Sequence, residues 1–200
     1  SAVSVHISAG ISGTVESAHA AAAEMTGFPI EIIDSRVTGV ALALIVDELV
    51  KARDRGGSLE ELKSIGERLA EKMELMFVVD TLEYLHRGGR IGGAQAFMGS
   101  MLRIKPILYI DGTIDALDKV RGGNKALERL VSIAEEKLGG RKARIGLTHV
   151  QAPEKMQELL EKAGRALSFD PDEVVQNEIG PVIGSHVGPG TTGICFFPME

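Results

Sequence analysis

Three short segments of this 200-residue chain gather hydroxyls, glycines, arginines and a histidine more densely than packing alone requires. The first is Ser8-Ala9-Gly10-Ile11-Ser12-Gly13-Thr14, set between a strand-like stretch and a helix-forming one. Three hydroxyls and two glycines at a helix N-terminus make an anion site. Glycine lets backbone N–H groups approach a ligand, and the positive end of the helix favours negative charge. No Gly-Lys-Ser/Thr follows, so this is not a phosphate-cradling P-loop, and the glycine spacing does not fit a dinucleotide fingerprint. The competing reading is purely structural: Ser12 caps the helix and does nothing else.

The second segment, Ile183 to Gly193, holds four glycines, Pro189 and a central His186. It reads as a tight loop whose backbone approaches something, with His186 able to hydrogen-bond an anion. The third, Asp80 to Ile91, reads as a short helix ending in Arg87-Gly88-Gly89-Arg90. Its two arginines suit a bidentate clamp on a carboxylate or phosphate, or equally structural pairs with Asp80 or Glu83. Other chemistries find little support. The five histidines (6, 19, 86, 149 and 186) show no metal-ligand spacing. The G-x-S-x-G elbow of a hydrolase is absent. A covalent role for Ser12 with His186 is compatible with the sequence, but nothing demands it.

These segments need elements to position them. Ala2 to Ile7 alternates as a strand, and Val15 to Met25 reads as a helix. Pro29 to Asp34 is a second strand, and Val40 to Arg53 a second helix. Ser58 caps a third, with Glu60 and Glu61 opposing its dipole. Strand–helix–strand–helix order predicts a parallel, layered α/β sheet in residues 1–74. A further strand, Leu75 to Val79, opens a second α/β unit over 75–200, with a ligand cleft expected between the two. Asp111-Gly112 between two apolar runs marks a hairpin, so this second sheet is mixed. A helix from about Ala94 to Leu102 precedes the hairpin. Helices at 124–138 and 154–166 and strands at 143–149, 174–178 and 193–197 complete the pattern.

The bulk composition narrows the function. Net charge is −6, with no Trp and only two Tyr, which argues against nucleic acid as a partner. No apolar run approaches the roughly 20 residues of a membrane span. The single Cys195 allows no internal disulfide, fits a cytoplasmic setting and reads as a buried structural thiol. The charge is uneven, however: residues 86–125 hold seven basic side chains against three acidic ones. A basic middle in an acidic chain implies a docking surface for an anion or an acidic partner.

Taken together, the motifs resemble the DegV family of bacterial lipid-binding proteins. The resemblance rests on Ile11-Ser12-Gly13-Thr14 with Ser17-Ala18, Asp34-Ser35, and Asp80-Thr81-Leu82-Glu83-Tyr84-Leu85 with Arg87-Gly88-Gly89-Arg90-Ile91. It continues through Ile104-Lys105-Pro106-Ile107-Leu108, Lys119-Val120-Arg121 with Lys125-Ala126, and His186-Val187-Gly188-Pro189-Gly190-Thr191. The resemblance implies a carrier that binds a long-chain fatty acid between two α/β domains, without catalysis or cofactor. It also implies delivery of that acid to a separate ATP-dependent fatty acid kinase. Carried onto this chain, the expected carboxylate ligands are Ser8, Ser12, Gly13, Thr14 and His186. Arg87, Arg90, Lys119 and Arg121 are expected to face the partner, and Phe97, Met98, Met101 and Leu102 to set chain selectivity. Two departures stand out: the family's N-terminal section with its Thr-Ser motif has no counterpart, and Ser8-Ala9 replaces two adjacent serines. An N-terminally truncated chain is therefore expected. The alternative is a subunit of a small-polyol kinase or phosphotransferase, because dihydroxyacetone kinases are similar in fold. That reading calls for a small polar site.

Overall fold

The structure, a computed structural model, describes residues 1–98 and 104–199. The first part runs β1 (Ala2–His6), α1 (Thr14–Glu24), β2 (Ile30–Asp34), α2 (Gly39–Asp54) and α3 (Leu59–Lys72). β1 and β2 pair in parallel, from Ala2 opposite Ile30 to His6 opposite Asp34. A parallel partner can be reached only by a crossover, which α1 supplies. The loops leaving the carboxyl ends of both strands therefore emerge side by side. Ser58 caps α3 as its spacing predicts, its hydroxyl accepting from Glu61 N–H at 3.2 Å.

The remainder runs β3 (Glu74–Val78), α4 (Glu83–Arg87), a 3-10 turn (Gly92–Phe97), β4 (Ile104–Asp111) and β5 (Thr113–Arg121). Then follow α5 (Gly123–Leu138), β6 (Ala143–His149), α6 (Pro153–Ala166), a second 3-10 turn (Pro171–Glu173), β7 (Val175–Glu178), α7 (Pro181–Val187) and β8 (Thr192–Pro198). The six strands lie in the order β5-β4-β3-β8-β6-β7. All neighbours are antiparallel except β6 and β7, so the sheet is mixed, as the hairpin requires. Gly112 turns that hairpin at φ 77°, a conformation that glycine adopts without penalty.

Alternation along the strands divides the core. Leu75, Phe77, Leu108, Ile110, Cys195 and Phe197 face one side and pack with α2 and α3. Met76, Val78, Ile107, Ile145, Ile194 and Phe196 face the other, under α5 and α6. Cys195 is fully buried, and that burial pushes its thiol up to about 12, an inert group as expected. Helix α2 is buried through Val40, Ala41, Leu44, Ile45 and Leu49, and it lies between the small sheet and the large one. It approaches β6 so closely that a Cβ on Gly146 would stand 2.7 Å from both Val40 Cγ2 and Cys195 Sγ.

Two expectations need correction. The stretch from Ile183 was read as loop, yet its first five residues belong to α7. Pro181 sits in the first turn and Gly188, at φ 80°, ends it, so the residues that suggested a loop are the helix's start and stop. Ile183 and Val187, four apart, then share the face that packs on the first core. The helix expected from Ala94 to Leu102 is, in its described part, the 3-10 turn ending at Phe97. Met101 and Leu102 lie outside the described residues.

Candidate functional site

The loops that follow β1 and β2, the turn after α4, the β4–β5 hairpin and helix α7 converge on one cavity of about 210 Å³. Its wall carries Ser12, Thr38, Arg90 and His186 among Ile7, Ile11, Ile110, Ile114, Val182, Ile183 and Val187. A few polar groups in an otherwise apolar lining suit an amphiphile, oriented by its head and held by its tail.

Ser12 and Thr38 occupy equivalent places, just beyond the carboxyl ends of the two parallel strands, where open α/β sheets bind ligands. The capping reading of Ser12 does not hold. Gly13 is the N-cap residue of α1, and no side chain caps that helix. The Ser12 hydroxyl lies 2.6 Å from the Thr14 hydroxyl and otherwise receives only a long 3.4 Å bond from Thr14 N–H. Thr38 is the N-cap residue of α2, is 8% exposed, and likewise makes no capping bond. Both hydroxyls stay available to a ligand.

His186 projects from α7 with its ring against Gly88. Its Nδ1 is buried without a hydrogen-bond partner among the described residues, and a Cβ on Gly88 would stand 2.2 Å from it. Nε2, on the far side of the ring, makes no protein hydrogen bond among the described residues. Arg90 ties the site together: its Nε donates to Ile11 O at 3.2 Å and its Nη1 to Gly88 O at 2.9 Å. It thereby fixes the Ser12 loop against the turn that seats His186.

Other expected site residues are placed differently. Ser8 is fully buried and outside the cavity wall. Its hydroxyl donates to Gly112 O and accepts from Gly10 N–H, pinning the loop to the hairpin. Gly13 and Thr14 are exposed beside Ser12. Arg90 belongs to the cavity, while Arg87, Lys119 and Arg121 lie on the surface. Arg87 pairs with Glu83 at 2.7 Å, and Lys119 sits 5.4 Å above the Phe97 ring. Phe97 packs on the first core and Met98 is 39% exposed, neither on the cavity wall. Thr38 went unrecognised in the sequence. Reading the end of β2 as the end of β1 was read would have found it.

Beyond α7 the chain is held by Asp80. Lys105 reaches its carboxylate at 2.8 Å, and Lys155 reaches it at 3.0 Å while also donating to Gly190 O at 3.1 Å. Burial works against the charge on Asp80, but the bonds from the two lysines outweigh it and hold the carboxyl below the usual range. A depressed carboxylate stabilises the fold above its unfolded pKa, and that contribution disappears as pH falls through the folded value. Asp80→Asn is therefore expected to be less stable than the parent at pH 7. The gap should close as pH drops below about 4. Paired urea titrations across that range would check it, and a pH-independent gap would refute it.

Among the described residues, no helix is long and apolar enough to cross a membrane, and no group of His, Cys, Asp and Glu could hold a metal ion. The DegV family model, described as that of an uncharacterised protein, matches residues 1–199. This chain belongs to the DegV family. A DegV domain-containing protein of Streptomyces coelicolor is 38% identical over 193 residues, spanning 96% of this chain and 68% of that protein. Among solved structures, a DegV family protein from Thermus thermophilus, described for its fatty acid binding, superposes with a TM-score of 0.91. It is 35% identical, over 98% of this chain and 70% of that one. A Thermotoga maritima protein, whose structure is described as revealing a fatty acid binding function, superposes with a TM-score of 0.85. It is 28% identical, over 98% and 68% of the two chains. The small parallel sheet and the larger mixed sheet are thus the DegV fold.

Proposed function

We propose that this DegV-family chain reversibly binds a long-chain fatty acid and does no chemistry on it. The supporting observation is the single cavity in which Ser12, Thr38, Arg90 and His186 meet inside an apolar wall. Ser12 and His186 hold the carboxylate, aided by Gly13 N–H and by Thr14 acting through Ser12, while Ser8 supports the loop from beneath. The cavity is smaller than the roughly 300–1,000 Å³ of most ligand pockets. It accounts for the carboxylate and the proximal part of the chain. Val182, 78% exposed, leaves an apolar side chain in water on its wall.

The energetics divide the labour. A dozen buried methylenes give on the order of 10 kcal/mol gross, much of it offset by ordering and association. Each hydrogen bond to the charged head adds about 1.5–3 kcal/mol. The tail sets affinity, and the head sets orientation and selects acids over neutral lipids. The apolar lining disfavours the polyol-kinase alternative, which needs a small polar site.

Ser12→Ala is expected to weaken fatty-acid binding about tenfold while leaving the fold intact. Titration of delipidated protein with a fluorescent fatty acid measures it. Unchanged affinity would move the head group elsewhere.

The proposal extends to delivery of the bound acid to a separate fatty acid kinase. Arg121, exposed and without an ion-pair partner among the described residues, would lead the docking surface with Arg87 and Lys119. Arg121→Glu should keep fatty-acid binding yet slow acyl phosphate formation by such a kinase at least about tenfold. Equal rates would remove this surface from the docking role.

A further inference from the structure

A second cavity, about 90 Å³, lies on the opposite face of the six-stranded sheet, under α5 and α6, and shares no lining residue with the first. Its wall includes Gly123 and Asn124 at the start of α5, Lys105, Lys155 and Thr192. Helix α5 is 16 residues long and no side chain caps its N-terminus. The N–H groups of Gly123, Asn124 and Lys125 have no intrahelical acceptor, and they make no other hydrogen bond among the described residues. Gly122 needs its φ of 94°, but Gly123 has neither a positive φ nor a crowded Cβ position. With no side chain at the first helical position, Gly123 leaves its backbone N–H open to close approach by a ligand.

An independent observation points the same way. Thr192 is 1% exposed and its Oγ1 has no hydrogen-bond partner among the described residues. On β8 it shares the face of Ile194 and Phe196, so its side chain is directed toward the cavity it lines. A buried hydroxyl left orphaned is destabilising unless something in the cavity meets it. Lys155 spends its three protons on Asp80 Oδ1, Asp80 Oδ2 and Gly190 O. Among the described residues Lys105 has only Asp80 as acceptor, at Oδ1 and, at 3.5 Å, its carbonyl, which leaves one N–H for a ligand. The two carboxylates of the wall are already engaged. Asp80 holds both lysines. Glu158 receives the Asn124 amide, in its satisfied orientation, at 2.7 Å, and lies 3.3 Å from Lys162.

We propose that this cavity is a second anion site, sized for one tetrahedral phosphoryl group. The helix N–H groups, the free Lys105 proton and the Thr192 hydroxyl meet its oxygens. The group is a free phosphate, or the terminal phosphoryl of a nucleotide whose remainder stays outside the cavity.

The test titrates full-length protein with inorganic phosphate at constant ionic strength, following backbone amides by 1H–15N correlation. The Gly123, Asn124 and Lys125 resonances should move together and saturate at one equivalent. Lys105→Met and Thr192→Val should each weaken that binding about tenfold. Thr192→Val should also raise the melting temperature without phosphate, since it removes an orphan hydroxyl. That separates loss of a contact from loss of fold. Tighter saturation of the same amides by ATP would assign the group to a nucleotide, and equal or weaker saturation to free phosphate. Non-saturating shifts scattered over surface lysines would overturn the proposal, as would wild-type phosphate affinity in Lys105→Met.

Discussion

Gly88→Ala is expected to weaken fatty-acid binding about 10- to 100-fold without unfolding the protein. The loss matches one charge-assisted hydrogen bond of about 1.5–3 kcal/mol. The backbone accepts the change, because Gly88 sits at φ −77° and ψ −5°, an ordinary helical conformation. The added methyl is the difficulty, since it would stand 2.2 Å from His186 Nδ1 and 3.0 Å from its Cε1. The peptide oxygen of Tyr84, 3.2 Å away, bars retreat in that direction. The imidazole must therefore swing off its seat, carrying Nε2 away from the carboxylate. His186→Ala should lose a similar amount. The decisive comparison is the double variant: with the ring gone, Gly88→Ala should cost nothing further. Additive losses in the double variant, or wild-type affinity in Gly88→Ala, would show that Gly88 does not act through His186. Titration with a fluorescent fatty acid and a thermal melt of each variant suffice.

That Gly88 meets a histidine nearly a hundred positions away explains which parts of the molecule the sequence displayed. Periodicity exposed most elements, because each strand or helix signals its buried face through its own neighbours. Val3 and Val5 alternate in β1, and the three buried residues Leu127, Leu130 and Ala134 repeat along α5. The hairpin was legible at Asp111-Gly112 because a tight turn demands a residue that tolerates positive φ. Helix α7 was hidden by composition: its seven residues are too few for a periodic signal, and its flanking glycines imitate a loop. For the site, hydroxyls and glycines announced the Ser12 loop, and His186 announced its own. Ser8 and Ser12 look alike in sequence. Only the approach of the Gly112 carbonyl decides that one is spent on the fold while the other, bonded only to Thr14 of its own loop, lines the cavity. Arg90 and Arg87 are likewise indistinguishable until the chain folds. One then meets Ile11 O across the cavity and the other meets Glu83 one turn back. Local pattern reveals which residue types are available. Tertiary contact decides which are committed.

The same distinction locates the most damaging core substitution. Leu44→Ala is expected to cost about 2–5 kcal/mol in urea unfolding, the range for deleting a fully buried Leu side chain. Leu44 is 0% exposed in α2 and belongs to the first core, with its Cδ1 3.4 Å from where a Cβ on Gly146 of the large sheet would stand. The packing of α2 on the large sheet is tight there, so the surroundings have little freedom to collapse into the space. Helix α3 packs as closely: a Cβ on Gly66 would stand 2.4 Å from Ile33 Cδ1. Such packing makes the loss of volume expensive. The consequence reaches function, because α2 begins at Thr38 and follows the strand beside the Ser12 loop, whereas Arg90 and His186 belong to the other half of the chain. Loosening α2 should therefore weaken fatty-acid binding in proportion to local opening, and ligand should restore part of the lost stability. Val46→Ala, on the exposed side of the same helix, should change stability by less than about 0.5 kcal/mol and leave binding intact. If the two variants behaved alike, α2 would not be the element that joins the halves of the site.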